Sequence, residues 1–97
     1  MAEYTHVSGR DFGNIRMFAL STCGWCRKTK AFMRDHDIGF SYIDVDLLPP
    51  EEQKAIREEQ LRHNPAGSYP TIVVEPDYCI VGYDEYKLKQ LTGERHG

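Results

Sequence analysis

The apolar residues of the chain fall into short groups whose spacing alternates between that of strands and that of helices. The run at residues 15–20 is short, apolar and bounded by Gly13 and by Ser21-Thr22, which predicts a buried strand. A helix is predicted next, capped at its start by Ser21 or Thr22 and ending before Gly39. One face of this helix carries residues at three- and four-residue steps: Trp25, Cys26, Thr29, Phe32, Met33 and His36.

The rest of the chain predicts a further strand, a second helix, a hairpin and a final helix. Proline and acidic residues at 49–52 are typical of a helix start, whereas the weak apolar stripe at Ala55 and Ile56 indicates an exposed helix. Asp84 is predicted to cap the last helix. The predicted elements are a strand at 40–45, a helix from 49 to about 62, strands at 71–74 and 78–81 joined by Glu75-Pro76-Asp77, and a helix with Leu88 and Leu91 inside that ends at Gly93.

This order of elements predicts an α/β fold. The strand–helix–strand unit at its start makes the first two strands parallel with a right-handed crossover, and the hairpin adds two antiparallel strands. We therefore expect a four-stranded mixed sheet flanked by three helices (β-α-β-α-β-β-α), forming one domain at residues 14–93. Residues 1–13 carry few apolar groups and are predicted to be a loosely held extension, and residues 94–97 a tail.

Composition narrows the class of protein. The 97 residues include 12 basic and 15 acidic side chains, a net charge of −3, whereas a nucleic-acid-binding protein usually has a basic excess. No apolar run approaches the roughly 20 residues of a membrane span, and residues 1–13 lack the apolar stretch of a signal peptide. We therefore expect a cytoplasmic protein that binds neither nucleic acid nor membranes, and we expect a monomer.

The cysteines are the main candidates for chemistry. There are three, an odd number that does not suit the disulfide scaffold of a small secreted protein. Two of them form the segment Cys23-Gly24-Trp25-Cys26, a spacing that in a cytoplasmic protein indicates redox chemistry or metal binding. The third, Cys79, lies in an apolar strand, where we expect a buried packing residue, with a third redox thiol as the alternative.

The predicted position of this segment indicates how its two thiols would share a reaction. Cys23 falls in the first turn of a helix that follows a buried strand, where free backbone N–H groups and the positive end of the helix dipole favour the reactive thiolate. Arg27 and Lys28 add positive charge nearby. Cys26 lies one turn further along, on the inner side. Cys23 is therefore expected to attack a disulfide, and Cys26 to resolve the resulting mixed disulfide by attacking Cys23.

Three segments in this order make the chain resemble the glutaredoxins over about residues 15–93. They are Thr22-Cys23-Gly24-Trp25-Cys26, Ser68-Tyr69-Pro70 and Val81-Gly82-Tyr83-Asp84-Glu85. The resemblance implies a thioredoxin-like fold, thiol–disulfide oxidoreductase activity through Cys23 and Cys26, and a cis peptide bond before Pro70. Its partners would be disulfide-containing proteins, with glutathione or a thioredoxin-reductase-type enzyme as the electron donor.

The resemblance also implies a glutathione-binding surface. The backbone of Tyr69 would pair with the cysteinyl part of glutathione, Asp84 and Glu85 would receive the glutamyl ammonium group, and Arg57 would meet the glycyl carboxylate. The chain departs from the family at Leu20, where a Lys or Arg is usual, and this leaves the dependence on glutathione open. The remaining residues assigned to the surface are Thr22, Trp25, Pro70, Gly82 and, with a place in the core as its alternative, Tyr83.

Thiol exchange itself requires no cofactor. Three other functions are alternatives to thiol–disulfide exchange. Some glutaredoxins with a small residue at the place of Gly24 bind a [2Fe–2S] cluster between two subunits, and thiolate ligation of such a cluster is chemically normal. A redox-inactive thioredoxin-like binding module is the second alternative, and the intact Cys pair argues against it. The third is a zinc site, which would need two ligands besides the Cys pair, and the candidates are Cys79, His6, His36, His63 and His96.

Overall fold

The computed structural model describes residues 3–76 and 78–92. The predicted end of the last helix at Gly93, and the tail at 94–97, lie outside these residues. A single 3₁₀ turn at Val45–Leu47 follows the third strand. The strands and α-helices of the described residues, in chain order, are β1 (Thr5–Val7), β2 (Ile15–Ala19), α1 (Gly24–Asp35), β3 (Phe40–Asp44), α2 (Pro50–His63), β4 (Thr71–Val74), β5 (Tyr78–Val81) and α3 (Glu85–Gln90).

The strands form one mixed sheet in the order β1-β3-β2-β4-β5. β2 and β3 run parallel on either side of α1 in the chain, and β4 and β5 form an antiparallel hairpin, so both of these predictions are confirmed. The predicted count of four strands is wrong, because the segment expected to be a loosely held extension contributes the edge strand β1, which pairs with β3. β1 is three residues long and mostly exposed, so it shows no apolar alternation in the sequence.

Two glycines let the chain pass from β1 close beside the start of β3. A Cβ atom on Gly9 would lie 2.5 Å from the backbone nitrogen of Gly39. Hydrogen bonds join the two segments here, from the Arg10 N–H to the Asp37 carbonyl (2.7 Å) and from the Gly39 N–H to the Arg10 carbonyl (2.9 Å). Asp37, with a left-handed φ of 55°, makes the turn after α1. A Cβ atom on Gly39 would lie 3.0 Å from the Gly9 carbonyl oxygen, so Gly39 serves this close backbone approach, and the helix has already ended with its C-cap at His36.

The sheet separates two apolar clusters, because successive residues of a strand point to opposite faces. On β2, Met17 packs into the cluster that includes residues of α1 and α3, and Phe18 packs into the cluster that includes Ile56 of α2. α2 buries only Ile56 and Gln60, in agreement with its weak apolar stripe. Of the six residues predicted on one face of α1, four are buried: Cys26, Thr29, Phe32 and Met33. Trp25 is exposed, and His36, the C-cap, is half-buried.

Polar contacts add to the attachment of α2. The guanidinium of Arg16, on the central strand β2, donates to Glu59 of α2 at 2.8 Å and to Glu75, just after β4, at 3.0 Å. α2 is therefore tied to the sheet by one ion pair, Arg16–Glu59, as well as by Ile56. Within residues 3–76 and 78–92, none of the helices combines the length and the apolar character needed to cross a membrane.

Candidate active site

Cys23 lies at the junction between β2 and α1, where it is the N-cap residue of the helix. Its backbone is extended, and its Sγ accepts a hydrogen bond from the backbone N–H of Cys26 at 3.2 Å. The predicted caps, Ser21 and Thr22, do not have this role, since the helix begins directly after Cys23 and both the N–H and the hydroxyl of Ser21 donate to Asp46. A sulfur at the N-cap takes the place usually held by a hydroxyl or carboxylate oxygen, where the start of the helix favours negative charge.

The two thiols of the pair differ sharply in their exposure. Cys26 is fully buried, whereas Cys23 is half-buried, and neither is in a disulfide. Burial, followed by the hydrogen bond and the charge of Cys23, raises the pKa of the Cys26 thiol from 9.0 to about 12, although the backbone of Leu20 and the charge of Lys30 act in the opposite direction. Cys26 therefore keeps its proton at neutral pH, and Cys23 is the thiol placed to meet a disulfide from solution.

The environment of Cys26 predicts that the reduced protein loses stability at alkaline pH. The unfolded chain releases this proton near pH 9 and the folded chain only near pH 12, so the folded state holds more protons between those values. The free energy of unfolding should therefore decrease from pH 9 towards pH 12, by at most about 1.4 kcal/mol per pH unit from this group. Urea unfolding of the reduced protein at several pH values in this range measures the slope.

The control for this experiment is Cys26→Ala, which removes the thiol but keeps the other groups that titrate at alkaline pH. The variant should show a shallower decrease than the wild type. Equal slopes in the two proteins would contradict the raised pKa of Cys26.

The loop before β4 lies at the same end of the sheet as the Cys pair. β4 runs antiparallel to β2, and Thr71 at the start of β4 lies opposite Phe18 near the end of β2. The Tyr69-Pro70 peptide bond is cis, as the resemblance implies. The Pro70 carbonyl accepts a hydrogen bond from the Gly82 N–H at 2.8 Å. Among the described residues, no hydrogen bond occupies the backbone N–H or carbonyl of Tyr69.

A shallow cavity of about 220 Å³ joins the three segments of the predicted site, since its lining consists of Trp25, Tyr69, Gly82 and Tyr83. The Trp25 side chain is 59% exposed and its ring stacks on that of Tyr83, with the ring centroids 5.9 Å apart. Tyr83 also packs edge-on against Phe32 of the core, at 6.1 Å. The Tyr83 ring therefore contacts the core on one side and lines the cavity on the other.

Lys28 adds a positive charge to this surface. Its Nζ lies over both aromatic rings, 5.3 Å from the centroid of Trp25 and 5.0 Å from that of Tyr83. The sequence placed Lys28 only in the general vicinity of Cys23. Its spacing of three residues from Trp25 is the signal that could have placed it beside the Trp25 ring, because side chains at this spacing on a helix are neighbours.

Comparison with known proteins decides the family. A family model described as Glutaredoxin matches residues 15–79. The chain belongs to the glutaredoxin family. A methanoredoxin of Methanosarcina acetivorans is 40% identical, with a TM-score of 0.87 over 95% of this chain and 96% of that chain. The glutaredoxin of Methanosarcina mazei Go1 is 39% identical, with a TM-score of 0.85 over 95% of this chain and 89% of that one, so the fold is thioredoxin-like.

A curated relative supports the same family. This glutaredoxin-family chain is 29% identical, over 77 residues, to an uncharacterized glutaredoxin-like 8.6 kDa protein in the rubredoxin operon of Clostridium pasteurianum. The match covers 79% of this chain and 95% of that protein.

The acidic turn of this glutaredoxin lies beside the cavity. The Asp84 carboxylate caps α3 by accepting the Lys87 N–H at 3.0 Å, as predicted. Glu85 is exposed, and the ammonium of Lys89, 3.1 Å away, holds the pKa of its carboxyl below the usual value. Glu85 is therefore charged and accessible, whereas Asp84 already accepts a bond within the helix start.

Arg57 is committed to contacts within the chain. One of its terminal nitrogens, NH1, lies 2.8 Å from the side-chain oxygen of Gln60, 3.0 Å from the Gly67 carbonyl and 2.9 Å from the Tyr69 hydroxyl. The guanidinium also lies over the Tyr69 ring, 5.4 Å from its centroid. The resemblance implies that Arg57 meets a carboxylate, and in the structure its NH1 also contacts the hydroxyl of Tyr69, which lines the cavity.

The zinc alternative finds no ligand set in the described part of the chain. There, no group of three His, Cys, Asp or Glu side chains has an arrangement that could hold a metal ion, and His96 lies outside that part.

Cys79 is half-buried on β5, where burial raises the pKa of its thiol. His36 packs on Phe32, with the ring centroids 3.9 Å apart.

Proposed function

We propose that this chain is a thiol–disulfide oxidoreductase that reduces protein or glutathione mixed disulfides through Cys23 and Cys26. The asymmetry of the pair carries the proposal. Cys23 is half-buried at the N-cap of α1, and Cys26 is fully buried with a pKa of about 12. Cys23 can therefore react first with a substrate, while Cys26 stays protonated until the second step.

The reaction divides between the two thiols. The Cys23 thiolate attacks one sulfur of the substrate disulfide, forms a mixed disulfide and releases the first substrate thiolate, which takes a proton from water. Cys26 then gives up its proton and attacks the Sγ of Cys23, which forms the Cys23–Cys26 disulfide and releases the second substrate thiolate. The substrate gains two electrons and the protein dithiol loses two. Glutathione or a thioredoxin-reductase-type enzyme restores the dithiol.

The surroundings of Cys26 support this order of steps. After burial, the next cause of its raised pKa is the hydrogen bond to Cys23, and the charge of Cys23 also contributes. The charge disappears once Cys23 is in a mixed disulfide, so the pKa of Cys26 then falls. The charge of Lys30, which pairs with Asp44 at 3.2 Å, also lowers this pKa. Cys26 thus becomes the better nucleophile only after Cys23 has reacted.

We propose that the substrate lies along Tyr69 and over the Trp25–Tyr83 stack. The free backbone groups of Tyr69 offer hydrogen bonds to an added strand, and exposed aromatic rings such as Trp25 are common in contact surfaces. Lys28 supplies a cation over these two rings, in a chain that has Leu20 where the family usually has a cation. Two observations argue against a complete glutathione site. The Arg57 NH1 and the Asp84 carboxylate already have hydrogen-bond partners within the chain.

Two parallel assays test the proposal and identify the electron donor. A small disulfide substrate is supplied to the protein with glutathione and glutathione reductase in one assay, and with thioredoxin reductase in the other. We expect turnover in at least one of them, and we expect mild oxidation to remove two thiols that a reductant restores. No turnover in either assay, together with an unchanged thiol count after oxidation, would contradict the proposal and favour a redox-inactive binding module.

A [2Fe–2S] cluster is the second use that the site would permit for Cys23. A Cβ on Gly24 would have only Arg27 within 4 Å, at 3.9 Å, so the surface beside Cys23 is open. We propose that the protein is a monomer in the cytoplasm. A cluster shared between two subunits would instead require a dimer. Anaerobic reconstitution with iron and sulfide separates these proposals, because a coloured dimer would support the cluster and a colourless monomer that reduces disulfides would support the oxidoreductase.

A further inference from the structure

Three buried polar side chains form a closed hydrogen-bond cluster behind Tyr69. They are Gln60 and Asn64 at the end of α2 and Thr71 at the start of β4, with exposed fractions of 0%, 4% and 0%. The Thr71 hydroxyl donates to the Ser68 carbonyl at 2.7 Å and accepts from the side-chain amides of Gln60 (3.2 Å) and Asn64 (2.9 Å). A hydroxyl has one donor and two acceptor positions, so all three positions of Thr71 are used.

The same cluster holds the chain on both sides of Tyr69. The Gln60 amide also donates to the Ser68 carbonyl at 3.0 Å, and the Asn64 amide donates to the Ser68 hydroxyl at 3.2 Å. Arg57 extends the cluster, because its NH1 bonds both the Gln60 side-chain oxygen and the Tyr69 hydroxyl. No buried side-chain nitrogen or oxygen among the described residues lacks a hydrogen-bond partner. The loop is therefore held in one arrangement, since any other would leave buried polar groups unpaired.

Packing alone does not explain a threonine at this position. Thr71 begins the apolar strand β4, where it is followed by Ile72 and Val73, both fully buried. Valine has nearly the same shape and favours strands at least as strongly, but it has no hydroxyl. Threonine adds a hydroxyl that accepts from the Gln60 and Asn64 amides and donates to the carbonyl of Ser68, the residue before Tyr69.

We propose that the Thr71 hydroxyl is a positioning group for disulfide exchange, and this inference rests on the proposed function. Thr71 does not contact the substrate. Its bond to Ser68 fixes the orientation of the Tyr69 backbone on one side, while the Gly82 N–H fixes the Pro70 carbonyl on the other. The substrate backbone then meets groups that are already in place, which lowers the cost of forming the mixed disulfide.

The comparison of Thr71→Val with Thr71→Ser tests this role. Valine keeps the shape and loses the hydroxyl, whereas serine keeps the hydroxyl and loses a methyl group. We expect kcat/KM for a peptide disulfide to fall about tenfold in Thr71→Val, mainly through a higher KM, and to recover in Thr71→Ser to within about twofold of the wild type. The rate at which iodoacetamide alkylates Cys23 should be unchanged in both, because this small reagent does not pair with Tyr69.

A second pair of variants separates positioning from loss of stability and serves if Thr71→Val does not fold. Gln60→Met removes three hydrogen bonds, those to the Ser68 carbonyl and the Thr71 hydroxyl and the one from Arg57. Gln53→Met, two turns earlier on α2, removes an amide that donates to the Leu48 carbonyl at 2.9 Å. We expect KM to rise for Gln60→Met and to stay at the wild-type value for Gln53→Met. A purely structural role would lower the unfolding temperature of the variants without changing KM.

Each result of these experiments either supports or overturns the positioning role of Thr71. An unchanged KM in Thr71→Val, or equal losses in Thr71→Val and Thr71→Ser, would overturn the positioning role while the wild type still reduces disulfides. If the wild type itself shows no disulfide reduction, the proposed function fails, and amide hydrogen exchange at Ser68 and Tyr69 decides the inference. Faster exchange in Thr71→Val than in Thr71→Ser would support control of this loop by the hydroxyl, and equal exchange would overturn it.

Discussion

Cys23→Ser is expected to reduce disulfides no faster than a reaction without protein. A serine hydroxyl is not ionised at neutral pH and forms no disulfide, so neither the first attack nor the mixed disulfide is possible. The serine oxygen can still accept the Cys26 N–H, since serine is among the preferred N-cap residues. The free energy of unfolding should therefore stay within about 1 kcal/mol of the wild type. Coupled turnover assays and urea unfolding of the same preparation measure both quantities.

Cys79→Ser is the matched control for this loss. It makes the same atom change in a half-buried thiol on β5, and it should keep the wild-type turnover. Turnover in Cys23→Ser would show that a different thiol attacks the substrate, which would overturn the roles assigned to Cys23 and Cys26.

Cys26→Ser is expected to trap the mixed disulfide between Cys23 and a protein substrate. The first attack is still possible, but no second thiol is available within the site to release the product. Mass spectrometry under non-reducing conditions should show an adduct of one substrate per protein, which disappears when a reductant is added. Activity towards glutathionylated substrates should persist, because free glutathione can attack the adduct in place of Cys26.

The double variant Cys23→Ser/Cys26→Ser provides the control for trapping, and it should form no adduct. Release of a protein product by Cys26→Ser at the wild-type rate, in the absence of glutathione, would be incompatible with Cys26 as the resolving thiol.

The regular elements were predictable wherever a local period showed which face is buried. The face of α1 that carries Cys26, Phe32 and Met33 follows from steps of three and four residues, and the short apolar run of β2 follows from its boundaries. β1 has no such signal, because its three residues are mostly exposed. They are held by backbone pairing with β3 and by the close approach of Gly9 to Gly39.

Caps and polar partners were harder to predict, because they depend on residues that are distant in the chain. Ser21 and Thr22 are better cap formers by residue type than Cys23, yet Asp46, 25 residues away, takes the Ser21 N–H and hydroxyl. Arg57 is suited to a carboxylate by its chemistry, but the folded loop presents it with the Gly67 carbonyl and the Tyr69 hydroxyl.

The sequence by itself determined the α/β element order, the placement of Cys23 before Cys26 at a helix start, and the three segments typical of glutaredoxins. These follow from local spacing and residue type. Only the tertiary structure decided the fifth strand, the size of the difference between the two thiols, and the attachment of Tyr69 to α2 through Thr71 and Gln60. Burial and hydrogen bonding set the pKa of Cys26 and the position of Tyr69, and both depend on contacts between elements far apart in the chain.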